Sequence, residues 1–249
     1  MNINTVKLIY FSPTRTTKKI VESIAQGIQI DTIEHLDLTP PQAKSQEFEE
    51  IHDCLAIIGT PVYSGRVLVD AMHRLQRLKA TNTPAVVIVV YGNREYEDAL
   101  LELRNLATEV GFTPLAGGAF IGEHSYSNKT TPIANGRPDS GDLKKAREFG
   151  KMVQEKIGVI HAISEMKTLH VPGNFPYRER IIRSRKSPMT QEQLCKRCRE
   201  CIEVCPKAAI TLENTIITDQ NVCILCCACV KICPEGSRTM EDLEILRWP

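Results

Sequence analysis

Two runs of four cysteines near the C-terminus could bind metal clusters. Both have the spacing C-x₂-C-x₂-C-x₃-C and end in a proline. The first run is Cys195, Cys198, Cys201 and Cys205 with Pro206, and the second is Cys223, Cys226, Cys229 and Cys233 with Pro234. Runs of this type hold [4Fe–4S] clusters in bacterial proteins, and each cluster takes four thiolates. The sequence therefore predicts two [4Fe–4S] clusters and one-electron chemistry.

The two runs are expected to be interlocked, because the fourth cysteine of such a run ligates the other cluster. We assign Cys195, Cys198, Cys201 and Cys233 to cluster I, and Cys223, Cys226, Cys229 and Cys205 to cluster II. Residues 209–218 (AITLENTIIT) lie between the runs and alternate apolar and polar side chains, which predicts a short hairpin. Metal binding would supply folding energy to so small a domain.

Disulfides and zinc are the alternative uses of these cysteines. Disulfides belong to oxidising compartments, and the start MNINTVKLIYF lacks the features of a secretory signal. Structural zinc sites usually join two C-x₂₋₄-C pairs through a longer loop. Of the two remaining cysteines, Cys54 precedes an apolar run and is expected in a core. Cys227 is out of register, and we expect an unligated thiol packed beside a cluster.

The first part of the chain alternates strand and helix patterns. Short β-rich runs predict strands, and apolar residues at helical spacing predict helices between them. The strands are expected at 6–11, 33–38, 54–59, 84–90 and 115–121, and the helices at 18–28, 67–78, 96–110 and 141–157. This alternation predicts an α/β fold, a doubly wound five-stranded parallel sheet of order 2-1-3-4-5. A small α+β domain carries the cysteines.

Ligands of such sheets bind beyond the carboxyl ends of the strands. Residues 12–17 (SPTRTT) follow the first strand at a helix N-terminus, which suits a phosphate, although helix capping alone explains Ser and Thr there as well. Loops after the third and fourth strands add glycines and tyrosines, for which packing is the plainer explanation. The candidates are Ser12, Thr14, Arg15, Thr16, Thr17, Thr60, Pro61, Val62, Tyr63, Gly65, Tyr91, Gly92, Asn93 and Tyr96.

These loops resemble those of flavodoxins. The flavodoxin phosphate loop reads S/T-x-T-G-x-T, which Ser12, Thr14 and Thr17 match, while Arg15 replaces its glycine. The C-terminal part is similar to two-cluster bacterial ferredoxins. The chain as a whole resembles the flavodoxin–ferredoxin fusion proteins of the emergent ferredoxin-flavodoxin family, through residues 120–125 (FIGEHS), 136–139 (GRPD) and 172–177 (PGNFPY) as well. The resemblance implies a flavodoxin-like fold and bound FMN, with Arg15 either contacting the phosphate or weakening FMN binding.

Residues 122–139 form a long polar loop after the fifth strand. Long loops without secondary structure are commonly functional. We expect this loop to cover the flavin ring or to dock the cluster domain, with His124 near the ring. A solvated loop histidine is the alternative for His124.

The domain boundaries follow from these patterns. We predict an FMN-binding domain at 1–158, a linker at 159–189, a cluster domain at 190–238 and a tail at 239–249. The linker contains three prolines and a cluster of basic residues. These residues either keep the linker solvated, hold the two domains together or recruit an acidic partner. That group is Arg178, Arg180, Arg183, Arg185 and Lys186.

Composition limits the partners. A formal charge of +1 gives no support for nucleic acid or membrane-surface binding, and the longest apolar run, 85–90, is too short to span a bilayer. Reduced thiols and low-potential clusters suit a cytoplasm with little oxygen. Redox proteins of unspecified identity are the expected partners, and a homodimer is also compatible with the sequence.

Three functions are compatible with these features. The first is an electron carrier that relays single electrons between two [4Fe–4S] clusters and FMN. The second is an FMN-dependent reductase of a small substrate, fed by the clusters; no G-x-G-x-x-G motif for a pyridine nucleotide follows a strand. The third is a ferredoxin with a flavin-free scaffold domain. We expect the carrier rather than a substrate-specific enzyme.

Overall fold

The computed structural model describes residues 3–180 and 186–240. Arg183, Arg185 and residues 241–249 of the predicted tail lie outside this part of the chain. Its N-terminal part is built on one sheet. The strands are β1 Thr5–Tyr10, β2 Thr32–Asp37, β3 Leu55–Tyr63, β4 Arg66–Val67, β5 Thr83–Tyr91 and β6 Phe112–Ile121.

The sheet is flavodoxin-like, as predicted. Its five long strands are parallel and run in the order β2-β1-β3-β5-β6, which is the doubly wound 2-1-3-4-5 arrangement. Strand β3 extends beyond its predicted end at residue 59. Val62 and Tyr63 pair with the short antiparallel strand β4, so part of the predicted binding loop is strand.

Helices cover both faces of the sheet. They are α1 Thr16–Ile28, α2 Val69–Leu75, α3 Ala99–Glu109 and α4 Ser140–Val159. The apolar side of α1 packs with α4 on one face of the sheet, and α2 and α3 lie on the other. Helices α1 and α4 approach closely at Gly27, where a Cβ would lie 2.0 Å from the carbonyl oxygen of Arg147. Short 3₁₀ turns occur at Pro41–Lys44 and Ile163–Glu165.

The C-terminal part consists of short elements around the cysteines. They are β7 Met189–Thr190, α5 Glu200–Glu203, β8 Ile210–Leu212, β9 Ile216–Thr218, α6 Ala228–Ile232 and β10 Arg238–Thr239. Strands β8 and β9 form the predicted hairpin, and β7 pairs with β10. The small apolar core includes Cys201, Cys205 and Cys229 beside Ile210 and Ile216. Cysteines thus occupy positions that aliphatic residues fill in a larger domain.

The middle of the predicted linker, around residues 174–180, is held against the N-terminal domain. The carboxylate of Asp98 accepts hydrogen bonds from the backbone N–H groups of Asn174 (2.8 Å) and Arg178 (2.7 Å). Arg178 pairs with Glu97, and Arg180 pairs with Glu102 at 2.6 Å. Arg178 and Arg180 therefore bind this segment to the turn before helix α3 and to α3 itself.

Candidate functional site

A cleft opens at the carboxyl ends of β1, β3, β5 and β6. Its empty volume, including the open mouth, is about 820 Å³. Most of the predicted cofactor residues line it: Ser12, Thr14, Thr16, Thr17, Pro61, Val62, Tyr63, Gly65, Tyr91, Gly92 and His124. The parallel topology brings these residues together, because the carboxyl ends of the strands share one edge.

Four predicted residues are not part of the cleft lining. Arg15 is exposed at the start of α1, Thr60 is buried within β3, and Asn93 is exposed in the loop after β5. Tyr96 packs edge-on against Tyr91, with ring centroids 5.5 Å apart. It therefore supports a wall of the cleft instead of forming one.

The phosphate-type loop is already ordered by its own hydrogen bonds. Ser12 Oγ accepts from the N–H of Lys18 at 3.0 Å, and the N–H of Ser12 donates to Thr39 Oγ1 at 2.8 Å. Thr17 is fully buried in the cleft wall, and its Oγ1 has no hydrogen-bond partner among the described residues. Buried hydroxyls are normally paired, so this one fits a bound acceptor such as a phosphate oxygen.

Arg15 keeps the backbone conformation that a glycine would adopt. Its φ of 63° and ψ of 1° lie in the left-handed region, which costs a non-glycine residue about 1–2 kcal/mol. Its side chain makes no capping hydrogen bond to α1. The substitution therefore preserves the shape of the loop at an energetic cost and leaves the first turn of α1 without a cap from this residue.

His124 forms a wall of the cleft beside Gly92. A Cβ at residue 92 would lie 2.4 Å from Cδ2 of His124, so only glycine fits there. The N–H of Tyr126 donates to His124 Nδ1 at 3.2 Å, and the two rings meet edge-on at 5.3 Å. The loop thus positions its own histidine in the cleft, and a neutral imidazole with this bond carries its proton on Nε2.

Tyr63 connects the cleft with the second cysteine run. Burial, followed by the nearby Cys226, raises the pKa of Tyr63 well above its usual range. Its hydroxyl lies 3.5 Å from Ser125 Oγ. Leu225, the residue before Cys226, lines the cleft itself. The cleft and the second cysteine run are therefore in contact.

The cysteines line two separate cavities of about 330 Å³ each. Cavity I contains Cys195, Cys198, Cys201 and Cys233, and cavity II contains Cys205, Cys223, Cys226 and Cys229. Nowhere in residues 3–180 and 186–240 do three His, Cys, Asp or Glu side chains approach closely enough to hold one metal ion. Zinc would need its ligands to converge at about 2.3 Å, whereas a four-iron cluster takes one thiolate on each iron, so its ligands stay apart.

Arg238 is a buried cation between the two cavities. Its guanidinium donates to Cys229 Sγ at 3.5 Å, to Thr190 Oγ1 at 2.7 Å and to Thr218 Oγ1 at 2.8 Å. It also lines cavity I, and its Nε is buried without a hydrogen-bond partner in the described chain. An anionic cluster would compensate this charge. Sequence reasoning missed Arg238, because an isolated arginine carries no motif.

The other two cysteines differ in their surroundings. Cys54 lies in the core of the first domain, where burial raises its pKa to about 11. Cys227 is 2% exposed, lines cavity II and donates weakly to the carbonyl oxygen of Leu225 at 3.7 Å. Burial raises the pKa of Cys227 as well, so both side chains are expected to remain thiols.

Three basic side chains join the two domains around cavity II. Lys231 pairs with Glu123 and donates to the carbonyl oxygen of Ser127 at 2.6 Å, and Lys207 pairs with Asp70. Arg74 donates to the carbonyl oxygen of Pro206 at 2.6 Å. Burial alone would raise the pKa of Glu123, but hydrogen bonds from Lys231 and the N–H of Gly136 hold it below its usual value. The loop at 122–139 therefore both lines the cleft and contacts α6.

Sequence reasoning identified part of this cleft and missed another part. Ser64, Arg94, Glu95, Gly122, Glu123, Ser125, Tyr126 and Leu225 also line it. Gly122 to Tyr126 lie in the long polar loop, whose length was the signal for a role. Leu225 belongs to the cysteine domain, and its place in the cleft depends on docking between domains.

Comparisons with known proteins agree with the C-terminal assignment. Residues 189–211 match the family described as "4Fe-4S binding domain", which supports an iron–sulfur site there. No curated protein matches the chain. Among the described residues, each helix is too short or too polar to cross a membrane.

Several solved structures are similar to the N-terminal part. A flavodoxin from the domain Archaea is 14% identical, with a TM-score of 0.39, over 62% of this chain and 99% of its own. The FMN-bound flavodoxin of Fusobacterium nucleatum is also 14% identical, with a TM-score of 0.37, over 61% and 98%. The Flv1 flavodiiron core of Synechocystis sp. PCC6803 is 17% identical, with a TM-score of 0.41, over 62% and 36%. The fold assignment rests on strand order and not on these scores.

Proposed function

We propose that this protein is an electron carrier that holds FMN in the cleft and two [4Fe–4S] clusters in cavities I and II. The contact between the cleft and the second cysteine run, through Leu225 and Tyr63, carries the proposal. FMN supplies one- and two-electron chemistry, and each cluster supplies one-electron transfer. Placing these groups in one chain gives them a high effective concentration for each other.

The phosphate-type loop is the proposed site of the FMN phosphate. Thr17 offers a buried hydroxyl that lacks a partner in the described chain, and the helix dipole of α1 favours an anion at its start. Thr14 and Thr16 add hydroxyls in the same wall. Tyr63 and the His124 loop, which line the cleft, would hold the flavin and shield it from water.

The cysteines of the two cavities are the proposed cluster ligands. Cys195, Cys198, Cys201 and Cys233 would hold cluster I, and Cys205, Cys223, Cys226 and Cys229 would hold cluster II. Arg238 contributes a positive charge close to both sets. Cavity II adjoins the cleft, whereas the wall of cavity I includes the exposed Cys198. We therefore propose that partner proteins exchange electrons at cluster I and that cluster II connects it to FMN.

Cofactor analysis tests this assignment first. Protein purified without oxygen should contain about eight iron atoms, eight sulfides and one FMN per chain, as two four-iron clusters require. In stopped-flow experiments, reduction of the clusters should be followed by reduction of the flavin in the same molecule. A Cys205→Ser variant should retain FMN but slow this second phase. Clusters and flavin that never equilibrate would rule out the relay.

A reductase of a small substrate is the second candidate. The cleft also has Arg94 and His124 in its lining, which are groups that could bind or protonate a substrate. Turnover of a small electrophile with reduced ferredoxin as the sole electron donor would favour this function. A flavin-free scaffold is the third, and a flavin absorbance spectrum of the purified protein would exclude it.

A further inference from the structure

The unpaired positive charge of the cysteine domain is concentrated at one place. Two of its basic residues, Lys207 and Lys231, pair with carboxylates of the first domain, and Arg238 is buried. The remaining three are Lys196, Arg197 and Arg199. All three are exposed and line cavity I.

These three cations, which we name the basic rim, are available for a partner. None of them forms an ion pair within the described residues, and Arg197 donates to the backbone carbonyl of Asn214 at 2.8 Å. Glu235 is the carboxylate that shares the cavity wall with them. The wall of cavity I therefore carries these three cations against one carboxylate, on a chain whose formal charge is only +1, whereas the nearby Glu192, Glu200 and Glu203 do not line it.

Compensation of cluster charge does not explain the basic rim. A charge acts strongly on a buried group when it is itself buried, because water and salt screen exposed charges. Arg238 is only 2% exposed and already supplies such a buried charge beside the cysteines. Exposed cations act over longer distances instead, by steering a charged partner before contact.

An apolar side chain lies next to the basic rim. Leu194 precedes Cys195 and is 47% exposed, and Cys198 is exposed in the cavity wall. Protein interfaces commonly combine an apolar centre with a charged or polar rim. The site of electron exchange would thus lie next to the surface that a partner covers.

We propose that the basic rim docks a small redox protein with an acidic face, which exchanges electrons at cluster I. This inference rests on the proposed function to the extent that cluster I must be present. The exchange moves one electron between the partner's redox centre and cluster I, so one is oxidised as the other is reduced. No bond forms or breaks, and no proton needs to move.

A charge-reversal pair tests the docking site. Lys196→Glu with Arg199→Glu removes rim charge but leaves Arg197 to hold Asn214. The matched control is Lys145→Glu with Lys151→Glu, two exposed residues of α4 with the same total change in charge. The probe is a bacterial two-cluster ferredoxin of strongly negative charge, reduced beforehand and mixed with each oxidised protein in a stopped-flow instrument.

The rate constant for reduction of the clusters by ferredoxin should fall at least about tenfold in the rim variant at about 0.01 M salt. The difference should vanish near 1 M salt, where strong screening limits electrostatic interactions to about 3 Å. The control pair should change the rate less than about twofold. Neutral substitutions, Lys196→Gln with Arg199→Gln, should give an intermediate rate. They distinguish an effect of charge from misfolding of the charge-reversal variant. Iron and sulfide contents must match in all variants.

Two results would overturn the docking site: equal effects of the rim and control pairs, or a rim variant with unchanged rate and salt dependence. Reduced methyl viologen, a small cation, should reduce every variant at least as fast as the unmodified protein. Because the rate is measured at the clusters, it does not depend on FMN. Failure of the flavin to be reduced afterwards would contradict the relay and leave the docking result standing.

Discussion

Arg238 and Arg15 are two arginines in unusual positions. Arg238 is buried among sulfur and hydroxyl groups, whereas Arg15 occupies a left-handed backbone position in the phosphate-type loop. Burial strengthens the electrostatic effect of Arg238 on its surroundings. The left-handed backbone conformation of Arg15 lowers the stability of the fold. Each leads to a measurable prediction at the scale of one side chain.

Replacing Arg238 by Gln should make the reduction potential of at least one cluster more negative. Loss of a nearby positive charge destabilises the reduced, more negative cluster. The shift should be on the order of 100 mV, since about 59 mV is a tenfold change for one electron and such a charge contributes a few kcal/mol. Redox titration followed by EPR measures it. Arg199→Gln, an exposed arginine of the same cavity, should shift the potential much less; equal shifts would contradict the role of burial.

Replacing Arg15 by Gly should remove the free-energy cost of the left-handed backbone conformation at this position. We expect Arg15→Gly to be more stable than Arg15→Ala by about 1 kcal/mol, because alanine retains the left-handed strain. Both variants lose the charge, so both should bind FMN more weakly if Arg15 contacts the phosphate. Urea unfolding and flavin fluorescence titration measure the two effects. Unchanged FMN affinity in both variants would show that the side chain makes no such contact.

Helix α2 joins the sheet domain to the cysteine domain through Arg74. Besides Pro206, Arg74 donates to the carbonyl oxygens of Leu38, Thr39 and Pro40. Thr39 in turn accepts from the N–H of Ser12 in the phosphate-type loop. One buried side chain thus connects that loop with the residue that follows Cys205.

Arg74→Met should lower the free energy of unfolding by about 3 kcal/mol, because several buried carbonyl groups would lose their donor at about 1–3 kcal/mol each. Electron exchange between clusters and flavin should also slow. Arg77→Met, in the turn just after α2 but exposed, with one hydrogen bond to the carbonyl oxygen of Gln46, is the control and should have little effect. Urea unfolding and stopped-flow mixing measure both. If Arg74→Met were as stable as Arg77→Met, Arg74 would not hold the loops together.

The two cysteine segments exchange their fourth residues in the proposed ligation. Cys233→Ser should therefore give the EPR spectrum of Cys195→Ser, with cluster I damaged. It should not resemble Cys223→Ser, in which cluster II is damaged. Cys205→Ser should resemble Cys223→Ser. The opposite pairing of spectra would indicate that each run ligates its own cluster.

At the scale of the whole molecule, polar and apolar contacts among the described residues join the two domains. Lys231, Lys207 and Arg74 provide the polar ones described above, and Leu225 and Ile224 extend the apolar contact with the first domain. These contacts surround cavity II and the cleft. In the proposed relay, electron exchange would depend on this docking.

The Lys231–Glu123 pair predicts a pH dependence of this docking. The pKa of Glu123 is lowered from its usual 4.5 in the folded protein, so its stabilising effect is present above pH 4.5 and is lost as pH falls through the lowered value. Lys231→Met should cost about 1 kcal/mol near neutral pH and progressively less below pH 4.5. Urea unfolding at several pH values measures this difference. Lys151→Met serves as the control. A cost that stays constant or grows in acid would contradict the pair's role.

Local pattern in the sequence was sufficient for the fold of the first domain and for the iron–sulfur character of residues 189–211. Helical and strand periods depend on neighbouring residues, and a chain of five strands with four intervening or following helices admits few topologies. The spacing of each cysteine run is local in the same sense. The ends of α2 and β3 were less predictable, because the pairing of β3 with β4 and the packing of α2 depend on distant residues.

By itself, the sequence determined the sheet order and the iron–sulfur character of residues 189–211, while the roles of the phosphate-type loop and of the second cysteine run stay predictions. Only the tertiary structure decided that Leu225 enters the cleft, that Arg238 lies between the cavities and that Arg74 joins the two domains. The physical reason is that these residues belong to no periodic pattern or motif. Their roles arise where segments far apart in the chain are packed together, and there burial turns an ordinary side chain into part of a site.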